Sequence, residues 1–585
     1  MPSSRRRFLT GSSLAAATAA LTGAPHIARS AGALLGAGAP GQKPSKIIHI
    51  VSDGMSMGTL TCANLLSQIA RKRSLSWTRL WRNPAAKTAL MNTRSLNSMV
   101  TDSSAASSAW GSGSRVVNGA VNMLPDGNLL APLYKLFKEA GWKTGLVTTA
   151  EITHATPAGF AAAVKSRGDA DAIAVQYLDR KVDVLLGGGR EYFSPNKRKD
   201  KRDMRGDFAK AGYSVVLDKA TLEKAPTDTR LLGTFGYGHL PYAIDHRANA
   251  GLVSSVPTLA AMTRAALTRL ERYEYFILQV EGARIDHAAH NSDAAAALHD
   301  QIALDEALDE CLEFQSRHPD TLIVLTTDHA NSNLGLNGMG GGYRTSSHQF
   351  ASIKDAKMSF PEILKLLEKA GEKIKVPPIP SDPEDKFEVA DPMAILEPQP
   401  KPKRPEERAK EEKEKAEREK KEKEEREKKE KEEKEKAAKE GKTFTAAHSM
   451  DAHRIDPAKI VSIIADATGY KMSMRRAELF SKVLAGAAPQ LYDQMNPAVT
   501  QLGQVMSNRY GVGWTGNTHT ADYVQLTAFG PGSELFAGYL ENTDIFRHYT
   551  TLAGIDFKNP AASLIAHRGP DAHEAESPHR YSAMV

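Results

Sequence analysis

Short runs of β-branched and apolar residues recur along the chain and alternate with stretches of helical periodicity. The first run, residues 46–53, leads into an Asp-Gly turn and predicts a buried strand. Further strands are predicted at 144–149, 182–186, 213–217, 275–280 and 322–327. Helices are predicted between them at 130–140, 170–178, 258–273 and 294–313. This alternation predicts a doubly wound α/β fold with a mostly parallel sheet.

The second half of the chain changes character twice. Residues 376–405 are rich in proline, and the Lys/Glu-rich segment that follows has no apolar seam for a coiled coil. Its many Glu residues four positions before Lys or Arg favour a solvated single helix or a charged linker, and we interpret it as a spacer. Residues 450–512 then look helical, and 523–529 predict a strand that returns to the sheet.

The N-terminus has the features of an export signal. Arg5, Arg6 and Arg7 precede Phe-Leu, and a modest apolar stretch at 14–21 is followed by small residues. Paired arginines before Phe-Leu fit the twin-arginine variant of such signals. We therefore expect residues 1–41 to direct export to the periplasm or another space outside the cytoplasm.

Composition narrows the classes of function. The chain is 41% hydrophobic and 25% charged, which is ordinary for a globular protein. Its net charge of +7 comes from residues 1–41, with four arginines and no acid, and from residues 401–442, with 19 basic and 16 acidic residues. The remainder is close to neutral, which disfavours nucleic acid as a partner.

The sequence also bears on membrane spans and on the state of the cysteines. Beyond the N-terminus no run of about 18 apolar residues predicts a membrane span in the mature chain. Cys62 and Cys311 lie in helix-like segments and are interpreted as buried thiols.

Residue types that bind metals collect where predicted strands end, which is where parallel sheets carry their sites. The candidates are Asp53, Ser103, His154, Thr156, Arg167, Glu281, Asp286, His290, Asp328, His329 and His519. If they converge, four carboxylates share one cleft, and that arrangement needs cations to offset their repulsion. Three divalent cations would leave a net positive site that suits a phosphate monoester dianion. Mixed Asp/His ligands suit zinc, and oxygen ligands suit magnesium.

Three stretches together make the chain resemble an alkaline phosphatase. They are VTDSSAASSAW, VEGARIDHAAH and TTDH, and the resemblance covers about residues 45–365 and 510–550. It implies a three-layer α/β/α sandwich with a central, mostly parallel sheet and an inserted helical, crown-like region. It also implies hydrolysis of small phosphate monoesters with two zinc ions and one magnesium ion, and it allows a homodimer.

The resemblance also implies a role for each candidate residue. Ser103 would be the nucleophile that forms a phosphoserine, and Arg167 would bind the phosphate. The implied metal ligands are Asp53, Asp328 and His329 for one zinc, Asp286, His290 and His519 for the other, and Asp53, His154, Thr156 and Glu281 for magnesium.

The sequence departs from the family pattern at three places. His154 stands where some members carry Asp, which we expect to tune magnesium affinity, and Ser108 stands where Thr is usual. The insertion at about 372–442 has no place in the family pattern and bears on quaternary structure more than on catalysis. The expected organisation is a signal at 1–41, a first core part at 42–371, the insertion at 372–442, a helical segment with return to the core at 443–560, and a tail at 561–585.

Three classes of protein are alternatives to a phosphate monoesterase. A sulfatase would need a Cys/Ser-x-Pro-x-Arg sequence, which the chain lacks. A phosphodiesterase of the same superfamily would place an ester group where Arg167 is expected to contact a charged oxygen. A non-catalytic phosphate- or metal-binding exported protein would be expected to lack at least one of Ser103, Arg167 and the metal ligands.

Overall fold

A computed structural model describes residues 43–338, 343–374, 452–487 and 492–564 of the 585-residue chain. Ten strands form one large sheet: β1 (Lys46–Val51), β2 (Lys87–Asn92), β3 (Lys143–Glu151), β4 (Val184–Gly188), β5 (Tyr213–Val216), β6 (Arg230–Thr234), β7 (Phe276–Glu281), β8 (Thr321–Thr326), β15 (Val524–Phe529) and β16 (Gly538–Glu541). Six two-residue strands pair outside it: β9 (Ala330–Asn331) with β14 (His519–Thr520), β10 (Gly335–Leu336) with β13 (Val512–Gly513), and β11 (Glu372–Lys373) with β12 (His453–Arg454).

The large sheet is almost entirely parallel. Its strand order is β16-β2-β15-β8-β1-β7-β3-β4-β6-β5. Only β15 runs against its neighbours, because it pairs antiparallel with both β2 and β8. The central strands β8, β1, β7 and β3 therefore end at one edge, and their carboxyl ends lie side by side.

Both faces of the sheet are buried. Along β1, Ile48 and Ile50 belong to one hydrophobic core, whereas Ile47 and Val51 belong to a second core on the other face. Successive side chains of a strand point to opposite faces, so the continuous apolar run reflects a strand covered on both sides. Helix Ala294–Arg317 contributes to the first core and helix Leu133–Glu139 to the second. This confirms the three-layer α/β/α fold.

Helices occupy most of the chain between the strands. The α-helices of the described residues are Met57–Arg71, Ser76–Leu80, Ser103–Ser112, Leu133–Glu139, Ala155–Ala161, Ala170–Asp179, Met204–Lys210, Lys219–Lys224, Ala243–Ala248, Ala250–Ser255, Leu259–Leu270, Arg284–His290, Ala294–Arg317, Ser346–Ala351, Phe360–Ala370, Pro457–Thr468, Met474–Leu484, Ala498–Tyr510 and Asp544–Ala553. None of these helices is long and apolar enough to cross a lipid bilayer.

The predicted strands all have counterparts in the sheet, within two residues at each end. β2, β6 and β16 were not predicted, because their apolar runs are short or interrupted by polar residues and glycine. Where the structure describes residues 450–512, it has three α-helices. The first ends at Gly469, whose φ of +70° is a left-handed conformation that glycine adopts without steric cost.

Two other expectations can be compared with the structure. Cys62 and Cys311 are free, buried thiols, as expected. The predicted signal at 1–41 and the Lys/Glu-rich part of the insertion lie outside the described residues.

Candidate active site

The polar residues that follow the predicted strands gather at the carboxyl edge of the large sheet. Asp53 comes two residues after β1, and Asp328 comes two residues after β8. Glu281 is the last residue of β7, and Asp286 lies on the short helix that follows. Because β8, β1 and β7 are neighbours in the sheet, these four carboxylates converge on one region. All four residues are buried.

Ser103 is the first residue of helix Ser103–Ser112. The side chain of Asp102 caps this helix by accepting a hydrogen bond from the backbone N–H of Ala105 at 2.9 Å. The cap fixes the direction in which the helix begins and so positions Ser103 at the sheet edge. Its Oγ lies 3.2 Å from Nε2 of His329, and the residue is buried.

Arg167 is held beside this serine by two partners. Its Nη1 donates to Asp102 Oδ2 and its Nη2 donates to His154 Nε2, both at 3.1 Å. Burial alone would raise the pKa of Asp102, but the Arg167 charge and the cap hydrogen bond outweigh it and lower that pKa. Ser103 and Arg167 line the same cavity of about 400 Å³. The arginine is therefore directed at the space in front of the serine hydroxyl.

A first group of metal-ligand atoms surrounds His329. Its Nε2 lies 3.1 Å from Asp328 Oδ2 and 3.7 Å from Asp53 Oδ1, and all three side chains are fully buried. Ligand atoms of these three residues lie within 4.8 Å of one another, close enough to coordinate one cation. The ring of His329 also stacks on His519 with 3.6 Å between ring centroids. The first group is thus adjacent to a second one.

The second group consists of Asp286, His290 and His519. Nε2 of His290 lies 3.3 Å from Asp286 Oδ2 and 3.1 Å from Nε2 of His519. The opposite ring nitrogens are 2.7 Å from the carbonyl oxygen of Asn517 and 2.8 Å from that of Thr101. Hydrogen bonds from Nδ1 to a carbonyl leave Nε2 unprotonated in the neutral ring. In its neutral form each ring therefore presents an Nε2 lone pair on the side of Asp286, as metal-binding histidines do.

The third group lies on the other side of Asp53. Ligand atoms of Asp53, His154 and Glu281 lie within 4.8 Å of one another. The Thr156 hydroxyl lies beside Glu281, whose other oxygen accepts a hydrogen bond from the Thr148 hydroxyl. This group is richer in oxygen than the other two, and Asp53 is common to it and to the group around His329.

Unpartnered buried atoms show that these residues fit cations. Within the described residues, no hydrogen bond is made by the following buried atoms: both carboxylate oxygens of Asp53, Glu281 Oε1, Asp328 Oδ2, Thr156 Oγ1 and His154 Nδ1. Burial and the neighbouring charges of Asp328 and Asp286 raise the pKa of Asp53 well above its usual range. Buried acceptors left without donors are costly unless a cation coordinates them. The donor set therefore suits bound divalent metal ions.

Two histidines that the sequence analysis did not select also line this cavity. His239 and His287 have ring centroids 4.5 Å apart, and each lies within 5.7 Å of the His154 ring. Burial lowers the pKa of His154 to about 3 and holds the pKa values of the other two well below their usual range. All three rings are therefore neutral.

Sequence signals for these two histidines differ. His287 directly follows Asp286 within VEGARIDHAAH, so the sequence could have indicated that it lies near the site. His239 follows β6, a strand whose pattern gave no prediction, and no residue nearby in sequence points to it.

Comparison with known proteins agrees with this arrangement. The family model for alkaline phosphatase matches residues 45–555. Alkaline phosphatase 3 of Bacillus subtilis is 29% identical over 456 residues, which cover 77% of this chain and 76% of that protein. Streptomycin-6-phosphate phosphatase of Streptomyces griseus is 33% identical over 337 residues, which cover 50% of this chain and 75% of that protein.

Solved structures are similar over nearly the same range. The crystal structure of Thermus thermophilus alkaline phosphatase has a TM-score of 0.70 and 30% sequence identity, with 93% of this chain and 98% of that chain covered. A cold-active alkaline phosphatase from a Shewanella species, at 23% identity and a TM-score of 0.61, shares the fold. The family match and the shared fold together show that this chain belongs to the alkaline phosphatase family of phosphoric monoester hydrolases.

Proposed function

We propose that the chain hydrolyses phosphate monoesters through a phosphoserine intermediate on Ser103, with Arg167 binding the phosphate. One observation carries this proposal: the Ser103 hydroxyl lies 3.2 Å from His329 Nε2 and shares a cavity with a guanidinium anchored by Asp102. A hydroxyl, a fixed cation and a set of buried ligands then surround one space, which is what transfer of a dianionic phosphoryl group requires.

Each group of ligands would hold one metal ion. The proposed ligands are Asp53, Asp328 and His329 for one zinc, Asp286, His290 and His519 for a second zinc, and Asp53, His154, Thr156 and Glu281 for magnesium. Two of these groups combine carboxylate and imidazole, which zinc prefers, and the third is richest in oxygen, which suits magnesium. When bound, the cations would neutralise the carboxylates, favour ionisation of the serine hydroxyl and stabilise anionic oxygens of the reaction.

The protein's own residues would act in two displacements. Ser103 Oγ attacks phosphorus and loses its proton, while the bond from phosphorus to the ester oxygen breaks and the alcohol takes up a proton. Water then attacks the phosphoserine, releases inorganic phosphate and restores the hydroxyl. Asp286, His290 and His519 line the same cavity as Ser103, so we place the leaving oxygen and the incoming water on their side. The planar fork of Arg167 would bind two non-bridging oxygens.

Arg167 also favours a monoester over the alternative diester. A monoester dianion offers charged oxygens to the guanidinium, whereas a diester replaces one of them with an ester group. The guanidinium is held by Asp102 and His154, so moving it away to admit that ester group would break two hydrogen bonds.

We also propose that residues 1–41 direct export by the twin-arginine route, since that route carries folded proteins and would suit an enzyme that binds its metals before export. A homodimer is the assembly we propose from the family resemblance. Sedimentation of the mature protein would test the second proposal, and replacement of Arg6 and Arg7 by Lys, followed by cell fractionation, would test the first.

The decisive experiment concerns Ser103. The mature protein, purified with zinc and magnesium, is expected to hydrolyse an aryl phosphate and, after acid quenching, to give a phosphorylated peptide containing Ser103. Ser103→Ala should abolish turnover and labelling with unchanged metal content. Ser112→Ala is the matched control, because that hydroxyl bonds to the Ser108 carbonyl in the same helix, away from the site. Full turnover in Ser103→Ala, or a label on another residue, would refute the proposal.

A further inference from the structure

A second cavity adjoins the candidate active site. It has a volume of about 500 Å³, and its walls include Leu240, Pro241, Tyr242, Leu252 and Arg284. His239 lines this cavity and the cavity of Ser103 as well, so the two spaces meet at that ring. A molecule with its phosphate at Ser103 would have to pass the His239 ring to reach the second cavity.

Arg284 is a buried cation in the wall of this second cavity. The residue is only 9% exposed, and its guanidinium carbon lies 3.8 Å from the centre of the Tyr242 ring. Its side chain makes a single hydrogen bond within the described residues, from Nη1 to His287 Nδ1 at 2.6 Å. Nε is buried and has no acceptor. No carboxylate of the described part of the chain lies within 4 Å of the guanidinium, so its charge has no ion-pair partner there.

The carboxylates of Glu151, Asp245 and Asp300 act on Arg284 through their charge, but none of them forms a direct ion pair with the guanidinium. His287 accepts a hydrogen bond from the guanidinium through Nδ1. Asp245 and Glu362 also line the cavity; Asp245 Oδ1 accepts from the backbone N–H of Ser359 at 2.8 Å, and Glu362 pairs with Lys365. Lys357 adds a second positive charge to the lining. A buried guanidinium with an unpartnered Nε and no direct ion pair is costly unless an anion binds to it.

We propose that this second cavity binds an additional anionic group, a phosphate or a carboxylate, carried by the part of the substrate that is not transferred. Arg284 would bind that oxyanion, and Tyr242 and Leu252 would pack against the carbon framework that joins it to the transferred phosphate. The proposal rests on the proposed function, because it places the scissile phosphate at Ser103. It goes further by naming the preferred substrates: phosphate monoesters with a second anionic group at a defined distance.

The test compares substrates that differ only in that group. Alkanediol bisphosphates of two to eight carbons and ω-phosphoalkanoates are assayed against alkyl monophosphates of the same length, on the zinc- and magnesium-loaded mature protein. At one chain length we expect kcat/KM to be roughly tenfold or more higher for the substrate with the second anionic group than for the monophosphate. A hydrogen bond to a charged group contributes enough free energy for a difference of this size. Comparison of the bisphosphates with the ω-phosphoalkanoates shows whether phosphate or carboxylate is preferred as the second anionic group.

Arg284→Gln should bring that gain close to one, whereas Arg284→Lys should keep part of it. The control is Arg247→Gln, an exposed arginine on the neighbouring helix Ala243–Ala248 that pairs with Glu306, and it should keep the full gain. A wild-type protein without preference at any length, or a preference unchanged in Arg284→Gln, would overturn the proposal.

A binding measurement separates this proposal from the proposed function. Calorimetry with Ser103→Ala protein and alkane bisphosphonates, against the matching alkylphosphonates, reports affinity without turnover. Tighter binding of the bisphosphonate that Arg284→Lys weakens would support the second anion site even if Ser103 were not the nucleophile. Equal affinities for the bisphosphonates and the matching alkylphosphonates would refute the second anion site. This measurement does not depend on whether Arg284→Gln folds.

Discussion

At the scale of single residues, Asp102 connects the two groups that would act on phosphate. Its carboxylate caps the helix that begins at Ser103, and it also accepts hydrogen bonds from Arg167 and from the backbone N–H of Gly119. One partly buried side chain thus helps to position both the serine and the guanidinium. The distance between the proposed nucleophile and the proposed phosphate-binding group is therefore set by local hydrogen bonds.

Replacement of Arg167 by Ala should reduce kcat/KM for an aryl phosphate monoester by roughly 100-fold, in the range measured for loss of one oxyanion donor. A diester should lose less, because it presents fewer charged oxygens to the guanidinium. Steady-state kinetics on both substrates, with inhibition by inorganic phosphate, measure the effect. Arg167→Lys keeps the charge without the planar fork and serves as the control. Equal losses on monoester and diester would contradict the monoester assignment.

Candidate site residues could be predicted from the sequence where they follow a strand with a continuous apolar run. Asp53, Glu281 and Asp328 come directly at or after fully buried apolar runs, and a parallel sheet brings such ends together. The unpaired state of Arg284 could not be predicted, since it depends on which carboxylates fail to reach it in three dimensions.

At the scale of elements, two helices of the candidate active site pack against each other at unusually close range. A Cβ placed on Gly159 of helix Ala155–Ala161 would lie 2.3 Å from Ser107 Oγ. A Cβ on Gly111 of helix Ser103–Ser112 would lie 1.9 Å from the Gly159 carbonyl oxygen. These glycines permit the approach that places Ser103 near His154, the N-cap of the second helix.

Gly159→Ala should therefore separate the two helices. We expect it to lower the free energy of unfolding by about 1–3 kcal/mol, as overpacking does, and to reduce kcat because Ser103 moves relative to the metal ligands. Denaturant unfolding of the metal-loaded protein and steady-state kinetics measure both effects. In the control Gly335→Ala the added Cβ has no neighbour closer than 3.8 Å. Unchanged stability of Gly159→Ala would show that the contact relaxes at no cost.

Strands that are buried along their whole length could be predicted from the sequence more easily than partly exposed ones. The central strands β1, β7 and β8 are buried at every position and read as continuous apolar runs. β2 alternates buried and exposed residues, and β16 has only four residues, so neither stands out from its surroundings. The packing of helices 103–112 and 155–161 was not predictable either, because glycine marks close approach only when its neighbour is known.

At the scale of the whole molecule, we expect the stability of the fold to depend on cations, because four carboxylates are buried together at the sheet edge. Removal of metal with a chelator should abolish turnover and lower the melting temperature. Ligand binding at a thousandfold excess over Kd stabilises by about 4 kcal/mol per site. Calorimetry before and after readdition of zinc and magnesium checks the prediction, with zinc-saturated chelator as control. A melting temperature unaffected by the chelator would contradict a role for cations at these carboxylates.

The described residues that flank the insertion pair with each other. β11 pairs with β12, and Lys373 is opposite His453, so the two ends of the segment between them are adjacent. Deletion of residues 405–440 should therefore leave monoester turnover and zinc content within about twofold of the full chain, because loop-closure entropy changes only slowly with length. Metal analysis and kinetics of the deletion variant test this. Loss of bound zinc would show that the segment supports the site.

The position of β15 has a consequence for synthesis. This strand lies inside the sheet between β2 and β8, although more than 400 residues separate it from β2 in sequence. A nascent chain that leaves the ribosome from its N-terminus thus exposes two strand edges whose shared neighbour has not yet been made. At about 5–20 residues per second, that interval lasts tens of seconds. Because His519 follows Asp286 and His290 by more than 200 residues, the centre that would accept zinc is complete only long after its first two proposed ligands have been translated.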